Sequence, residues 1–453
     1  MKSHASDRQP RRPKRLRGLV AGLIAVGLLA GCTTAVASPS TTALVALSGS
    51  PSQPARTAAI ATPSTTSTPS PTSSTTPMAT PLPSVGAAPT GRWSGIHWIS
   101  AGSVFTDSGV NIAPFLTIFG WSRGYVAFGA SGDPTHPGAP TASSSADGLH
   151  WTASQLLDVG GLEFEVRIAQ VVEGPSGLLA VGHYPRGTCG GPTTVDALWT
   201  STDGVTWSRV HLPADFVAAA VYTVDGGSSG YIASGTLKDG VTPAVWLSGD
   251  GSSWRQVPLP NPSAGGIVVD GATSLAGGYV LSGAERLDVG CGASVFMPSL
   301  WWSTDGRSWT RSQLPGAVPA TNAQVTVSRV SDHALMAMAT EYDDATGLTS
   351  VFVWVTADGR TWKLVESPSD MLGLGILTNG QRGLVVALSP DGAGPPTIAT
   401  VGDDLTVTTL NQTGDGPLES ATSPGWVWAM GPTGVVILNS DGSVLWLGVP
   451  TAS

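Results

Sequence analysis

Charge is what this chain has least of. Only 12% of its 453 residues are Asp, Glu, Lys or Arg, with 22 basic against 31 acidic side chains. Duplex-binding proteins need the opposite balance, clustered Lys and Arg, so nucleic acid is excluded as a partner. Cysteine is nearly absent, with three residues and no Cys-x-x-Cys pair. The histidines stand singly (His97, His136, His150, His183, His211 and His333 beyond the leader), so no zinc-type cluster is expected. His-Glu-x-x-His and Gly-x-Ser-x-Gly are also missing. The one long apolar run, residues 18–30, is too short to span a bilayer as a permanent helix.

What is abundant is a repeat. Trp199-Thr200-Ser201-Thr202-Asp203-Gly204-Val205-Thr206-Trp207 reads as a strand end, a tight Asp-Gly turn and a new strand. The same order returns at 246–254, 301–309 and 354–362, and with Ser143 in the first place at 143–151. The closing pairs are Asp147/Trp151, Asp203/Trp207, Asp250/Trp254, Asp305/Trp309 and Asp358/Trp362. A period of roughly 50 residues points to a propeller or solenoid. Gly accepts positive φ in such turns, while Asp and the upstream Ser or Thr bond nearby backbone N–H groups. Each Trp is expected to fold over its turn and pack between sheets. These aspartates therefore read as turn clasps rather than metal or substrate ligands.

The pattern resembles the Asp-box, or BNR repeat, of sialidase-like β-propellers, in a form shortened by one residue between Asp and Trp. The resemblance covers about residues 91–450. It implies an all-β, seven-bladed propeller of four-stranded antiparallel blades. A short Gly-led strand recurs before each turn, beginning at Gly124, Gly177, Gly230 and Gly278, with weaker copies at 333–338, 383–388 and 434–438. Named A to D from the inside, these are the B strands, and seven of them give seven blades. The sixth turn is degenerate, Asp403 with Val407 in place of Trp, and the last blade lacks a D strand. Residues 92–100, with Trp93-Ser94 resembling Trp207-Ser208, are expected to supply it and close the ring. A second register, with Asp441-Gly442 as a further clasp, ranks below this one.

Residues 1–31 carry seven of the basic residues and one acid, followed by Leu29-Ala30-Gly31-Cys32. This resembles a bacterial lipobox, which implies cleavage before Cys32 and its lipidation, the membrane being one partner. The remaining chain then holds 15 bases against 30 acids. Residues 32–90 are Thr, Ser, Pro and Ala with Arg56 the only charge, and read as a disordered tether of roughly 40–45 Å mean span.

Strand alternation puts the B–C and D–A loops on one face and the Asp-Gly turns on the other. Long B–C loops are expected at 183–196, 284–297 and 340–349. Polar side chains there make a candidate contact patch: Tyr184, Arg186, Glu285, Arg286, Glu341 and Tyr342, with Asp288, Asp343 and Asp344 beside them. Cys189 and Cys291 fall in two of these loops and form a candidate disulfide in an oxidising compartment. Sialidase chemistry implies three arginines, a Tyr–Glu pair and an Asp acid. The early Arg-Ile-Pro signature is absent, Arg167-Ile168-Ala169 being the nearest string. The expectation is a surface-anchored, non-catalytic propeller binding a protein or glycan or scaffolding an envelope complex. No catalytic residue, metal ligand or cofactor is assigned, and an ion in the ring channel is left open. The alternatives are a diverged glycoside hydrolase and a membrane-complex assembly factor.

Overall fold

In a computed structural model of the chain, the described residues are 87–88, 93–102, 117–133, 136–156, 167–183, 195, 197–261, 265–290, 293–343, 348–365, 372–379, 382–388, 396–402, 404–414, 426–439 and 445–452. Cys32 and the leader, nearly all of the proposed tether, Tyr184, Arg186, Cys189, Cys291, Asp344, Asp403 and Asp441-Gly442 lie outside them.

Strand dominates the rest. β1 (Trp93–Gly102) comes first, followed by a unit of β2 (Thr117–Trp121), β3 (Gly124–Asp133), β4 (His136–Ser145) and β5 (Thr152–Leu156). A second unit holds β6 (Arg167–Gly174), β7 (Gly177–His183), β8 (Ala197–Ser201) and β9 (Thr206–Arg209). After a short helix, α1 (Ala214–Ala218), come β10 (Ala220–Gly227), β11 (Gly230–Thr236), β12 (Pro243–Ser248) and β13 (Arg255–Val257). The fourth unit is β14 (Ile267–Leu275), β15 (Gly278–Gly290), β16 (Ala293–Ser303) and β17 (Thr310–Ser312). The fifth is β18 (Asn322–Ser331), β19 (Ala334–Asp343), β20 (Leu348–Thr356) and β21 (Lys363–Val365). The sixth is β22 (Leu372–Thr378), β23 (Gly383–Leu388), β24 (Thr397–Val401) and β25 (Val407–Thr409). Then come β26 (Asn411–Gly414), β27 (Trp426–Met430), β28 (Val435–Asn439) and β29 (Leu445–Ala452).

Within each of the first six units, neighbours in sequence are antiparallel neighbours in the sheet. The last sheet takes β27, β28 and β29 from the C-terminus and β1 from the N-terminus, with Ile96 opposite Pro450 and Trp98 opposite Gly448. The ring thus closes through the strand expected from 92–100. β26 adds a parallel partner on the other edge of β1, so β1 lies between two strands. A parallel pair, β5 with β9, also joins the outer edges of the first two units. Both contacts cover edges that would otherwise stay open to other chains.

The inner strands pack in sequence order, β2, β6, β10, β14, β18 and β22, and β27 returns to β2. Among the described residues, hydrophobic clusters fill the gaps between successive sheets from the first unit to the last. One joins Trp121, Phe128, Trp199 and Trp207 across the first two units, and another joins Leu335, Trp354 and Trp362 to Leu275 and Leu300. In α1, Phe216 is buried against Trp246 and Trp254, at ring distances of 5.4 and 5.3 Å.

The Asp-Gly turns follow one plan. Asp203 Oδ1 accepts the N–H groups of Val205 and Thr206 at 2.8 and 2.9 Å, and the Ser201 hydroxyl at 3.0 Å. Ser201 Oγ in turn accepts the Gly204 N–H at 2.9 Å, where φ is +73°. Trp207 Nε1 donates to Gly204 O at 3.1 Å, locking the ring over the turn. Trp151, Trp254 and Trp362 repeat this bond within their own turns. Trp309 departs from the expectation. Its Nε1 donates to Pro258 O of the preceding unit at 2.8 Å, and the ring is only partly buried. The neighbour's carbonyl competes with the turn's own for the indole N–H.

Candidate functional site

Two regions carry polar side chains away from the clasps: the rim made by the B–C hairpins and the channel inside the ring. At the rim, the segments expected as loops at 284–297 and 340–349 are largely strand. β14 pairs with β15 only as far as Glu285, opposite Ile267, whereas β15 and β16 pair on to Gly290 opposite Ala293. The result is a two-stranded arm that outruns its inner strand. β3 and β4 likewise pair on to Asp133 opposite His136, past the last β2 contact at Phe128. Glu341 and Tyr342 sit in the β19–β20 ladder, opposite Ser350 and Thr349. The sequence pattern missed these extensions because Arg286, Asp288 and Gly290 read as loop residues.

Glu285 and Arg286 are adjacent on β15 and meet different surroundings. Glu285 is buried and pairs with Arg311, Oε2 to Nη1 at 3.0 Å, while Arg311 Nη2 donates to Ser299 Oγ at 3.0 Å. A buried carboxylate held this way is part of the sheet's packing. Arg286 is exposed, and its Nε donates to Ser294 Oγ across the arm at 2.8 Å.

Beyond an ion left open for the ring channel, none of the channel's residues was anticipated. Inner strands from six units enclose a cavity of about 350 Å³. Its wall holds Glu173 on β6, Asp225 on β10, Asp270 on β14 and Arg329 on β18. Each acid accepts a backbone N–H from the adjoining unit. Glu173 Oε2 takes that of Ser122 at 2.9 Å, and its other oxygen takes the Ser122 hydroxyl. Asp225 Oδ2 takes the Ser274 N–H at 3.0 Å, and Asp270 Oδ2 takes the Val325 N–H at 3.1 Å.

Arg329 crosses the ring. Nη1 reaches Asp332 Oδ1 at 3.3 Å, and Nη2 donates to Glu173 O at 3.4 Å, three units away around the ring. Glu173, Asp225 and Arg329 all stand near the ends of their strands, beside the A–B turns. The guanidinium therefore narrows that end of the channel, leaving Asp270 nearer the other end.

Burial raises the Asp225 carboxyl above the usual carboxylate range, against the pull of the Arg329 charge. Burial pushes Asp270 up to about 6, only partly countered by the Val325 N–H. A charge left in low dielectric without enough compensation behaves this way. Among the described residues, no group of three His, Cys, Asp or Glu side chains is placed to hold a metal ion. Nor is any helix among them long and apolar enough to cross a membrane.

A closed ring of four-stranded antiparallel sheets, with a polar channel at its centre, defines an all-β propeller. No protein-family model matches the chain, and no curated protein matches it. Similar solved structures include the β-propeller domain of the Trilobed protease from Pyrococcus furiosus, at 9% identity and a TM-score of 0.37, covering 72% of this chain and 91% of that one. Trypanosoma rangeli sialidase is similar at 12% identity and a TM-score of 0.33, over 72% of this chain and 58% of that one. The GH32 β-fructofuranosidase of Bombyx mori is similar at 10% identity and a TM-score of 0.28, over 75% and 91%. Likeness at this level says nothing about activity.

Proposed function

We propose that the chain is an extracytoplasmic lipoprotein, anchored through Cys32 and a Ser/Thr/Pro-rich tether. Its Asp-box propeller binds a protein or glycan ligand, or scaffolds an envelope complex, through the rim of B–C hairpins. One observation carries this reading: the hairpin arms that outrun their inner strands lie on the face opposite the Asp-Gly clasps. That leaves one face fastened and the other free to present side chains such as Arg286. Long hairpins on a rigid ring are suited to recognition.

The test places a photocrosslinking residue at Arg286 on the arm, or at Ser252 in an exposed clasp turn, in intact cells. The reading expects one discrete partner captured from Arg286 and none from Ser252. Equal capture from both positions, or capture from Ser252 alone, contradicts it.

A second reading, a diverged sialidase-like glycoside hydrolase, is favoured by the Asp270 carboxyl, which titrates near 6 inside a cavity as a general acid should. Turnover of fluorogenic glycosides by the purified chain, abolished in Asp270→Asn, would replace the first reading with this one.

A further inference from the structure

Asp270 has an unusual position in its strand. The A–B ladders of five units contain a bulge; in four of them it lies near the start of the inner strand, with one unpaired residue between paired neighbours, whereas the fifth unit carries its own at the far end, between Arg329 and Ser331. In those four the unpaired residue is Ala169 in the second unit, Tyr222 in the third, Asp270 in the fourth and Gly373 in the sixth. Bulges re-aim a side chain. Ala, Tyr and Gly all satisfy this one, so the fold does not require an acid there.

The next register position sharpens the contrast. In the third unit Thr223 lies opposite Ser234, and their hydroxyls bond at 2.6 Å. In the fourth unit Gly271 lies opposite Ser282. The hydroxyl partner is gone. Ser282 is 1% exposed, lines the cavity, and its Oγ has no hydrogen-bond partner among the described residues. A Cβ on Gly271 would sit 3.1 Å from that Oγ, so the missing side chain is what opens the wall. Side by side stand a carboxylate with one donor and no cation, and a buried hydroxyl with no partner.

We propose that this pocket, formed by Asp270, Ser282 and the gap at Gly271, binds a small primary amine in its ammonium form. Asp270 is the counter-ion and Ser282 Oγ a second acceptor. The charges select this class. Glu173 and Asp225 each accept a neighbour's N–H, and the Arg329 Nη1 and Nη2 are held by Asp332 and Glu173 O, with Asp225 in the field of its charge. Asp270, unlike Asp225, has no cation beside it, and a buried carboxylate gains most from a donor that carries positive charge. A divalent ion favours several carboxylate oxygens, and among the described residues no three His, Cys, Asp or Glu side chains gather to hold one. A cavity of about 350 Å³ is of small-molecule size.

The test titrates ethylammonium chloride into the full chain by calorimetry, with ethanol as the neutral isostere and sodium chloride as the inorganic cation. Saturable one-site binding of ethylammonium is expected, without matching heat from ethanol or sodium. Affinity should fall about tenfold from pH 7 to pH 5 as Asp270 takes up its proton. The charged groups facing the same cavity are Asp225 on β10, Glu173 on β6 and Arg329 on β18, while Glu285 on β15 is tied to Arg311. Asp225→Asn should therefore keep both the binding and its pH midpoint.

Asp270→Asn keeps an oxygen for the Val325 N–H and should abolish binding. Ser282→Ala should weaken it several-fold, and together with the wild-type pH profile it keeps the test independent of how Asp270→Asn folds. Absence of saturable binding up to tens of millimolar, equal binding of ethanol or sodium, or unchanged binding in Asp270→Asn overturns the proposal. None of these outcomes bears on the rim, which is tested by crosslinking.

Discussion

The aspartates of the Asp-Gly turns and those of the channel share a side chain and are shifted in opposite directions in their affinity for a proton. In the turns, two backbone N–H groups and a hydroxyl meet one carboxylate oxygen. Thr206 and Val205 hold Asp203 below the usual range, and Ser308 and Arg307 bring Asp305 to about 2. In the channel, Asp270 has a single N–H donor and more burial, and it moves the other way. A carboxylate surrounded by local donors is a fastener. One placed where donors are few is a cost to stability that the fold does not need, and that difference separates structure from candidate function.

The largest expected effect tests the fasteners. Trp207→Ala removes a fully buried indole between two sheets and should cost about 3–5 kcal/mol in denaturant unfolding. Trp309, partly exposed and bonded outside its own turn, should cost about 1–2 kcal/mol as Trp309→Ala. Equal losses at the two sites would break the distinction between locked and leaning rings.

Next comes the channel acid. Its pKa is higher folded than unfolded, so the native state binds more protons between about pH 4 and 6 and stability falls as pH rises through that window. Asp270→Asn should flatten this fall and gain about 2 kcal/mol at pH 7, seen in urea melts across pH. A destabilised Asp270→Asn would make the carboxylate a fastener after all.

Smaller still is Asp203→Ala, expected to lose about 1 kcal/mol at pH 7 with the two N–H bonds. Here the folded pKa is depressed. The contribution is present above about pH 4 and disappears as pH falls through the folded value, so wild type and variant should converge in acid.

The clasps were legible in the sequence because each is local. Ser201, Asp203, Gly204 and Trp207 fall within seven residues and bond almost only to one another. Ring closure by 92–100 was legible by subtraction, since the last sheet lacked one strand. The inter-unit fasteners on the B strands were missed. Tyr231 Oη donates to Gly177 O, Tyr125 Oη to Gly434 O, and Tyr279 Oη to Ser229 O, each in the preceding unit of the ring. Those partners lie about 50 residues away or at the far end of the chain, and Gly-Tyr reads simply as a strand start. The channel was hidden for the same reason, since each inner strand contributes only a few wall residues and no motif links them. One signal was present: Asp270 interrupts the apolar run Ile267-Val268-Val269, where an inner strand should stay apolar.

The most direct test of the contrast is a carbon-detected NMR titration of the aspartate carboxyls in the folded chain. Asp270 is expected to titrate near pH 6 and Asp305 near pH 2. A midpoint for Asp270 at or below 4, in step with the turn aspartates, would contradict the account.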